Sequence, residues 1–304
     1  MKLCVHTETQ TLTHVFLGTA DAIGKPPKLN DLYDPSSRKH LLQDTFPKKE
    51  ALQKALDTLE KVFIRYNVVV FRPDIVVDCN QIFARDLGFV IDDIWVRANI
   101  IPHRAAELQG LKTLYQLIPE EKQLIFPESV HVEGGDVMVH NDYVFVGICT
   151  QDNYSDLLTA RTNKAAVIAL KNAFPHKKVV SFELIKSNTI PEKNALHLDC
   201  CFQPVGTSYA ITCPEGFADP EEYRWLVDFF GHEHIFEVTA LEMSQMMCNV
   251  VSLRPDVVVS DSSFTRLNNW LRLHDIVVEE VNFREIAKQG GLFRCVTMPL
   301  TRIV

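Results

Sequence analysis

Residues 136–148 form a hairpin-like stretch, Asp136-Val137-Met138-Val139-His140-Asn141-Asp142-Tyr143-Val144-Phe145-Val146-Gly147-Ile148. Two apolar segments meet at Asn141-Asp142, and Asn and Asp tolerate the left-handed backbone that a two-residue hairpin turn requires. The stretch therefore predicts antiparallel strands at 136–140 and 143–148. A helical pattern at 154–173 and a further strand at 178–182 complete a strand-strand-helix-strand unit.

The same order of elements recurs along the chain at intervals of roughly 50 residues. One predicted unit has strands at 86–90, 94–97 and 123–126 and a helix at 104–117. Another has strands at 196–204, 209–212 and 235–238 and a helix at 220–230. A further unit has strands at 249–253, 257–260 and 276–281 and a helix at 264–273. Tight turns at Asp92-Asp93 and Arg254-Pro255-Asp256 join the first two strands of two of these units. Such repeated hairpins count against the alternative of an ordinary doubly wound sheet, where helices connect parallel strands.

The two ends of the chain supply the elements of a fifth unit. These are a strand at 13–18, a helix at 48–65, a buried strand at 67–71 and a final strand at 295–303, with 25–47 predicted as a loop. The predicted fold class is α/β: a five-bladed α/β propeller of ββαβ units with pseudo-fivefold symmetry, closed by the N- and C-terminal strands. Residues 1–304 are predicted to form one such domain.

Composition narrows the classes of partner. The chain has 304 residues, 46% of them hydrophobic, and a net charge of −8. It contains no basic block, so nucleic acid and anionic membranes are poor partners, and a cationic small molecule suits it better. The start turns polar after five residues, and no apolar run approaches the roughly 20 residues that span a bilayer, so we expect a cytoplasmic protein.

The eight cysteines are scattered, without a CxxC pair. This usage is typical of thiols in a reducing compartment and not of a disulfide framework or a zinc site. Cys295 follows the glycine pair Gly290-Gly291 and precedes the final strand, a suitable place for a nucleophile. Taken alone, it is more readily a buried apolar residue.

Polar residues recur where the predicted units begin: Asp86, Glu133 and Asp136, His197 and Asp199, and Cys295. If five units surround one axis, these positions converge. His197 could move protons for a Cys295 thiolate, with Glu133 holding the imidazole. His197 and Asp199, two apart on a predicted strand, would point to one face. Two carboxylates, Asp86 and Asp199, could each grip a guanidinium with paired hydrogen bonds.

Each of these candidate site residues also has a plainer, purely structural interpretation. Residues 133–136 could be only a glycine-containing turn, and Asp86 could form an ion pair with Arg85. His197 could be a hydrogen-bonded core residue. Cys200 and Cys201 lack the spacing of a zinc site, so no metal is predicted.

Six motifs in order resemble the guanidino-group modifying superfamily of arginine deiminases, dimethylarginine dimethylaminohydrolases and amidinotransferases. They are Asn80-x-x-Phe83-x-Arg85-Asp86, Glu133-Gly134-Gly135-Asp136, Arg161-Thr162-Asn163, His197-Leu198-Asp199, Asn249-Val250-Val251 and Gly290-Gly291 with Arg294-Cys295-Val296-Thr297-Met298-Pro299-Leu300. The family fold, a five-bladed α/β propeller, agrees with the repeat count.

The resemblance implies roles for the residues that match. Cys295 would attack the guanidinium carbon, His197 would protonate the departing nitrogen and later activate water, and Glu133 would orient His197. Asp86 and Asp199 would bind the guanidinium nitrogens.

Three further residues, Asn80, Arg104 and Arg161, match positions that hold a substrate α-carboxylate. The expected ligand is therefore a free guanidino amino acid; no cofactor is implied, and a homo-oligomer is possible.

Features of the chain favour one branch of the superfamily. A loop at 151–158 is longer than in the family and weakens the assignment of Arg161. The length is nearer that of the dimethylarginine hydrolases, but those commonly carry lysine where Asp199 stands. The ending Cys295 to Arg302 is deiminase-like.

We therefore expect a short arginine-deiminase-like hydrolase that acts through a covalent thiouronium-type intermediate. The alternatives are an amidinotransferase, a dimethylarginine dimethylaminohydrolase and, from a different class, a non-catalytic module that binds an arginine-like ligand.

Overall fold

The computed structural model describes residues 1–151 and 153–303, which contain five three-stranded sheets. The strands are β1 Thr11–Leu17, β2 Val69–Phe71, β3 Gly88–Ile91, β4 Ile94–Arg97, β5 Gln123–Ile125, β6 Val137–His140, β7 Tyr143–Ile148, β8 Lys178–Glu183, β9 Phe202–Val205, β10 Tyr209–Thr212, β11 Ile235–Glu237, β12 Val251–Arg254, β13 Val257–Asp261, β14 Val277–Val281 and β15 Thr297–Ile303. The helices are α1 Pro35–Leu42, α2 Lys49–Arg65, α3 Lys112–Leu117, α4 Lys164–Ala173, α5 Leu198–Cys201, α6 Pro220–Phe230, α7 Ala240–Ser244, α8 Thr265–Leu273 and α9 Arg284–Ala287.

All five sheets share one pattern, in which the central strand pairs antiparallel on one side and parallel on the other. Four sheets come from consecutive strands: β3-β4-β5, β6-β7-β8, β9-β10-β11 and β12-β13-β14. In the fifth, Phe16 of the central strand β1 faces Met298 of β15 on one side and Phe71 of β2 on the other. The prediction that both chain ends build one unit is confirmed.

The predicted hairpin turns are also confirmed. Asp92 and Asn141 both adopt left-handed backbone, with φ of 54°. Asp and Asn tolerate this region better than most residues, so these turn residues let the adjoining strands pair in register.

Each sheet contacts the next. Isolated bridges join Thr19 with Gln81, Asn99 with Val132, and Leu184 with Phe217. Tyr209 of β10 packs edge-on against Trp270 of α8, with ring centroids 5.5 Å apart. Finally, Tyr66 at the end of α2 donates a hydrogen bond of 2.6 Å to Glu279 of β14.

Helix α2 shows how the helices cover the sheets. Its buried residues recur at helical spacing, as the sequence predicts: Leu52, Ala55, Leu56, Leu59, Val62 and Phe63. No helix among the described residues is long and apolar enough to span a membrane.

An N-terminal segment, residues 3–9, crosses the ends of three sheets. The backbone NH groups of Cys4, Val5 and Glu8 donate to Leu300, Asp92 and Val139 at 3.1, 2.7 and 3.0 Å. The residue pattern of this segment predicts no helix or strand, so its role is visible only in the folded chain.

The prediction of a loop over 25–47 is wrong, because α1 occupies 35–42. Asp34 accepts a hydrogen bond from the Ser37 backbone NH at 2.8 Å, and Pro35 opens the helix. An Asp-Pro pair is a known helix start, since the carboxylate caps the first turn and proline fits there.

Two predicted helices are shorter than the patterns suggested. Residues Pro102–Leu111 form a 3-10 stretch before α3, and α4 begins at Lys164, where Asn163 caps it. A short 3-10 turn, Tyr154–Asp156, lies in the loop predicted over 151–158, within which Asp152 lies outside the described residues.

The strands that follow the predicted site residues begin later than predicted. Short helical turns at Ala84–Leu87, Gly134–Asp136 and Leu198–Cys201 replace the expected strand starts. The final strand likewise begins at Thr297, and Val304 lies outside the described residues. The strand predicted as buried at 67–71 is instead β2, where Val69 is 48% exposed.

Candidate active site

Four short turns, each just before the first strand of a sheet, hold the predicted site residues. Asp86 lies in the turn Ala84–Leu87, Glu133 precedes Gly134–Asp136, His197 and Asp199 lie at α5, and Cys295 precedes β15. All five are buried. The expectation that His197 and Asp199 share one face of a strand is wrong, because the chain turns helically after His197.

His197 lies between two carboxylates. Its Nε2 is 2.9 Å from Oε2 of Glu133, and its Nδ1 is 3.6 Å from Oδ1 of Asp86. Burial opposes the imidazolium form, but the charges of Asp86, Asp136 and Glu133 outweigh it, so the pKa of His197 is raised. The imidazole packs against Gly135, where a Cβ atom would lie 2.6 Å from Cγ of His197.

Glu133 is held as a carboxylate. Burial alone would raise its pKa, yet Arg161, His197 and Arg104 together lower it. Nη1 of Arg161 donates to Oε2 of Glu133 at 2.9 Å. An ionised Glu133 can therefore orient His197 and stabilise its protonated form.

The thiol of Cys295 is buried beside Asn249 and Asp199. Asn249 Nδ2 donates to Sγ at 3.1 Å, and Oδ2 of Asp199 is 3.6 Å from Sγ. Burial and the nearby Asp199 charge raise the pKa of Cys295 well above its usual value. The Asn249 side chain also accepts from the backbone NH groups of Arg294 and Cys295, at 2.9 and 3.2 Å.

The two carboxylates expected to bind guanidinium are arranged alike. Arg104 Nη1 binds Oδ2 of Asp86, whose Oδ1 is buried without a hydrogen-bond partner in the described part of the chain. Arg294 Nη1 binds Oδ2 of Asp199 at 3.0 Å, and Oδ1 of Asp199 is 3.8 Å from Sγ of Cys295. Each carboxylate is thus fixed by a buried arginine through one oxygen. The other oxygen of Asp86 faces His197, and that of Asp199 lies between two thiols, 3.7 Å from Sγ of Cys200 and 3.8 Å from Sγ of Cys295.

Arg104 is fully engaged in the structure. Its Nε and Nη2 each donate to Glu107 at 2.7 Å, and Nη2 also donates to the Phe83 carbonyl at 3.2 Å. With Nη1 on Asp86, the guanidinium braces that carboxylate. Its expected contact with a substrate carboxylate stays a prediction.

Arg161 retains one unengaged nitrogen. Its Nε donates to the Leu158 carbonyl at 2.7 Å and its Nη1 binds Glu133, whereas Nη2 is buried without a partner among residues 1–151 and 153–303. The ring of Tyr33 lies over the guanidinium, 5.2 Å from centroid to Cζ. A cavity of about 200 Å³ beside Tyr33 is lined also by Leu158 and Asn188.

Two other expectations concern Asn80 and Arg85. Asn80 Nδ2 donates to Gln289 Oε1 at 2.8 Å, so the third residue expected at the substrate carboxylate is half-buried in another contact. Arg85 lies 3.7 Å from Glu8, and it donates to the Arg294 carbonyl at 3.4 Å. The plainer interpretation of Asp86 as the partner of Arg85 is wrong, because Arg104 holds Asp86.

Three of the site residues could hold a cation. Asp86, Glu133 and His197 each offer a ligand atom within 4.8 Å of the others. The same two carboxylates already bind Arg104 and Arg161, whose positive charges oppose a divalent ion there. The arrangement is better suited to an organic cation that is itself a hydrogen-bond donor.

Sequence reasoning did not assign site positions to Asn249, Glu107, Tyr33 and Glu8. The motif Asn249-Val250-Val251 was a signal for the first, since an asparagine at a strand start marks a buried polar position. Tyr33 and Glu8 lie in segments without periodicity, and only the folded chain brings them near the site.

Residues 48–302 match the sequence model of the family described as N,N dimethylarginine dimethylhydrolase, eukaryotic. YkgA of Bacillus subtilis (strain 168), an uncharacterized protein, is 27% identical over 304 residues, covering 99% of this chain and 96% of YkgA. An arginine deiminase of Pediococcus pentosaceus is 27% identical over 210 residues, covering 57% of this chain and 47% of its own.

Solved structures share the fold. The product-bound N-terminal domain of ArgZ, an arginine dihydrolase in Cyanobacteria, superposes with a TM-score of 0.77 at 19% identity, covering 95% of this chain and 97% of that domain. An inosamine-phosphate amidinotransferase from Streptomyces griseus gives a TM-score of 0.76 at 15% identity, with 99% and 97% covered. Because the family match spans more than four-fifths of its residues, the chain belongs to the eukaryotic N,N-dimethylarginine dimethylhydrolase family, within the guanidino-group modifying superfamily.

Proposed function

We propose that this chain hydrolyses the guanidinium group of arginine, or of a closely related free amino acid, through a covalent adduct on Cys295. The observation that carries the proposal is the pair of half-bound carboxylates, Asp86 and Asp199, beside the thiol and His197. A planar guanidinium between them can donate to Oδ1 of each carboxylate, which would hold its carbon near Sγ.

The architecture that supports this chemistry is proposed as one catalytic domain, residues 1–304. Contacts from each sheet to the next, including that between the terminal sheet and β14, support closure into a five-bladed α/β propeller. Such closure would direct the turn before each first strand toward a common axis.

The first chemical step begins with a change of charge. Burial and the charges of Asp199 and Asp86 disfavour a thiolate at Cys295. A bound guanidinium cancels part of their charge, which favours the thiolate beside a protonated His197. Sγ then bonds to the guanidinium carbon, the bond from that carbon to one nitrogen breaks, and His197 gives its proton to the departing amine.

The second step restores the enzyme. Neutral His197 takes a proton from water as the water oxygen bonds to the carbon of the thiouronium adduct. The tetrahedral species formed by the water then collapses, which breaks the bond from carbon to sulfur, frees the Cys295 thiol and leaves a ureido product. Glu133, held ionised by Arg161, stabilises the imidazolium in both steps.

The amino-acid end of the substrate would be bound beyond the reacting centre. Nη2 of Arg161 is the buried donor best placed for a carboxylate, and Arg104 and Asn80 remain candidates. The sites require no cofactor in this scheme.

The family match favours a second candidate, hydrolysis of dimethylarginine with release of dimethylamine. The same residues would act, and only the departing amine would differ. Amidino transfer, in which an amine replaces water in the second step, is supported more weakly by the fold shared with an amidinotransferase.

The test is a substrate panel of arginine, dimethylarginine, agmatine and citrulline, read by product mass. We expect citrulline from arginine or dimethylarginine, weak turnover of agmatine, and loss of at least 10³-fold in rate for Cys295→Ala. Glycine or lysine should not divert the product; formation of guanidinoacetate or homoarginine would assign amidino transfer. Turnover that survives Cys295→Ala would refute the mechanism.

A further inference from the structure

The N-terminal segment brings a buried carboxylate, Glu8, to the site. Glu8 lies outside residues 48–302, the part of the chain that the family match covers. Its backbone NH donates to the Val139 carbonyl in the second sheet, which fixes the segment, and its side chain is buried.

Glu8 binds two arginines that flank the nucleophile segment. Its Oε1 and Oε2 accept from Nη2 and Nε of Arg294 at 3.1 and 3.3 Å, and Oε1 lies 3.7 Å from Nη1 of Arg85. Burial opposes the charge, but Arg294, Arg85 and Arg302 lower the pKa of Glu8 to about 2. The carboxylate is therefore ionised at every pH at which an enzyme of this kind works.

Arg294 in turn connects Glu8 to the site. Its Nη1 donates to Asp199 at 3.0 Å and to the Gly135 carbonyl at 3.3 Å, and its Nη2 donates to the Val137 carbonyl at 2.8 Å. Gly135 packs against the His197 imidazole. The orientation of one guanidinium thus sets both the Asp199 carboxylate and the backbone behind His197.

The carboxylate of Glu8 balances part of the positive charge of the three buried arginines around it. Arg85, Arg294 and Arg302 are all buried, and Glu8 interacts with each of them. The neighbouring His140 is half-buried, and desolvation lowers its pKa. Removal of the Glu8 charge would leave Arg294 with Asp199 as its remaining ionic partner, so that more of the Asp199 charge would be neutralised.

We propose that Glu8 is a positioning residue: it holds Arg294 so that Asp199 keeps one oxygen available for the substrate cation, and it sets the field at Cys295. The substrate part of this inference rests on the proposed function. The effect on the thiol does not, because it requires no substrate.

The first measurement uses no substrate. The rate at which iodoacetamide alkylates Cys295, followed by mass spectrometry of the peptide that contains it, gives the thiol pKa from its pH dependence. Besides burial, the titratable groups that raise the pKa of this thiol are Asp199, Cys200 and Asp86. Glu8→Gln removes a further negative charge, so we expect the midpoint to fall by about 0.5 to 1 pH unit.

The second measurement uses the substrate that the panel identifies. We expect Glu8→Gln to raise KM about tenfold with a smaller change in kcat, because the weakened charge of Asp199 acts mainly on cation binding. Glu8→Asp retains the charge and should leave the alkylation midpoint near that of the unmodified chain.

Two variants of the same segment are controls. His6→Gln removes an exposed contact with Asp92, and Val5→Ala removes buried apolar atoms, without a change of charge near Arg294. Neither should move the alkylation midpoint or KM, although Val5→Ala should lower thermal stability.

An unshifted midpoint and KM in Glu8→Gln, with stability lowered as in Val5→Ala, would overturn the proposal. If Glu8→Gln does not fold, Glu8→Asp tests the positioning role by itself, because it keeps the charge but shortens the reach to Arg294: a raised KM with an unmoved midpoint supports the proposal, and a KM as low as that of Val5→Ala overturns it. A shifted midpoint in a chain that turns over no guanidine would leave the Glu8 linkage standing and refute the proposed function alone.

Discussion

The side chain of Asn249 contacts both the thiol and the backbone of Cys295, the proposed nucleophile. One side chain donates to Cys295 Sγ and accepts from the backbone NH groups of residues 294 and 295. It therefore fixes the bend that exposes the sulfur to Asp199 and supplies a donor that favours the thiolate. This hydrogen bond counters the effects of burial and of the Asp199 charge, which raise the pKa of the thiol, and Asn249 itself carries no charge.

We predict that Asn249→Asp slows the enzyme by about 10² to 10³-fold and raises the Cys295 alkylation midpoint by at least one pH unit. The carboxylate can still accept from both NH groups, but it replaces a donor with a negative charge beside the sulfur. Asn249→Ala should raise the midpoint less. Equal midpoints in the two variants would contradict this assignment.

Residue types predicted the chemistry of the site more securely than its hydrogen bonds. The types of Cys295, His197 and Asp199 indicated a thiol, a proton carrier and a cation partner; in the structure Asp199 lies beside Cys295, and His197 lies beside Asp86. That Arg161 binds Glu133 and Arg104 braces Asp86 was not predictable. Such pairings depend on side-chain directions within an assembled interior, which sequence spacing does not contain.

At the level of elements, short helical turns matter most. The patterns at 86–90 and 196–204 predicted strands, but the first residues of each form a turn. Apolar and polar alternation over three or four residues cannot separate a strand start from a single helical turn. The turn lets the backbone bend at the position where a carboxylate must face the site.

The start of helix α1 depends on one buried residue, Asp34. Asp34 caps it, and a Cβ atom at Gly290 would lie 2.6 Å from Asp34 Oδ1, so the helix start packs against the glycine pair before Cys295. Burial raises the pKa of Asp34 to about 6, despite hydrogen bonds from Ser37 and the charge of Arg161.

A carboxyl group whose pKa is raised in the folded state makes the free energy of unfolding larger at low pH than at neutral pH. The folded chain binds the proton more tightly than the unfolded chain, whose value is about 3.8. The stabilisation is present below about pH 4 and is lost as pH rises to about 6. Asn also caps helices well, so Asp34→Asn should keep α1 and abolish this dependence.

We therefore predict that the free energy of unfolding of Asp34→Asn, relative to the parent chain, rises by roughly 2 to 3 kcal/mol between pH 4 and pH 7. Urea unfolding at several pH values measures it. Asp31→Asn, an exposed carboxylate in the same segment, is the matched control. A pH-independent difference for Asp34→Asn would show that the carboxyl group is not buried as described.

On the scale of the whole molecule, the chain ends bind the sheets together. Strand β15 pairs with β1, and residues 3–9 cross three sheets. Leu3 is buried in an apolar cluster with Trp95 and Leu300, which belong to different sheets. The segment therefore joins parts of the chain that are far apart in sequence.

We predict that Leu3→Ala lowers the free energy of unfolding by about 2 to 4 kcal/mol, because a cavity opens where two sheets meet. Lys2→Ala, at an exposed neighbouring position, should cost less than about 0.5 kcal/mol. Urea unfolding distinguishes them. Equal costs would mean that the segment contributes little to the cohesion of the sheets.

The sequence by itself determined the repeating unit, its hairpin turns and the terminal strands of the fifth sheet, because periodicity and turn chemistry are local properties. It also indicated which residue types gather at the unit starts. Only the tertiary structure decided which oxygen of Asp86 and Asp199 stays available and which arginine holds each carboxylate. It also brought Glu8, 287 positions from Cys295, into the same buried network. A buried charge is costly unless it is paired with an opposite charge, and the partner can come from any part of the chain.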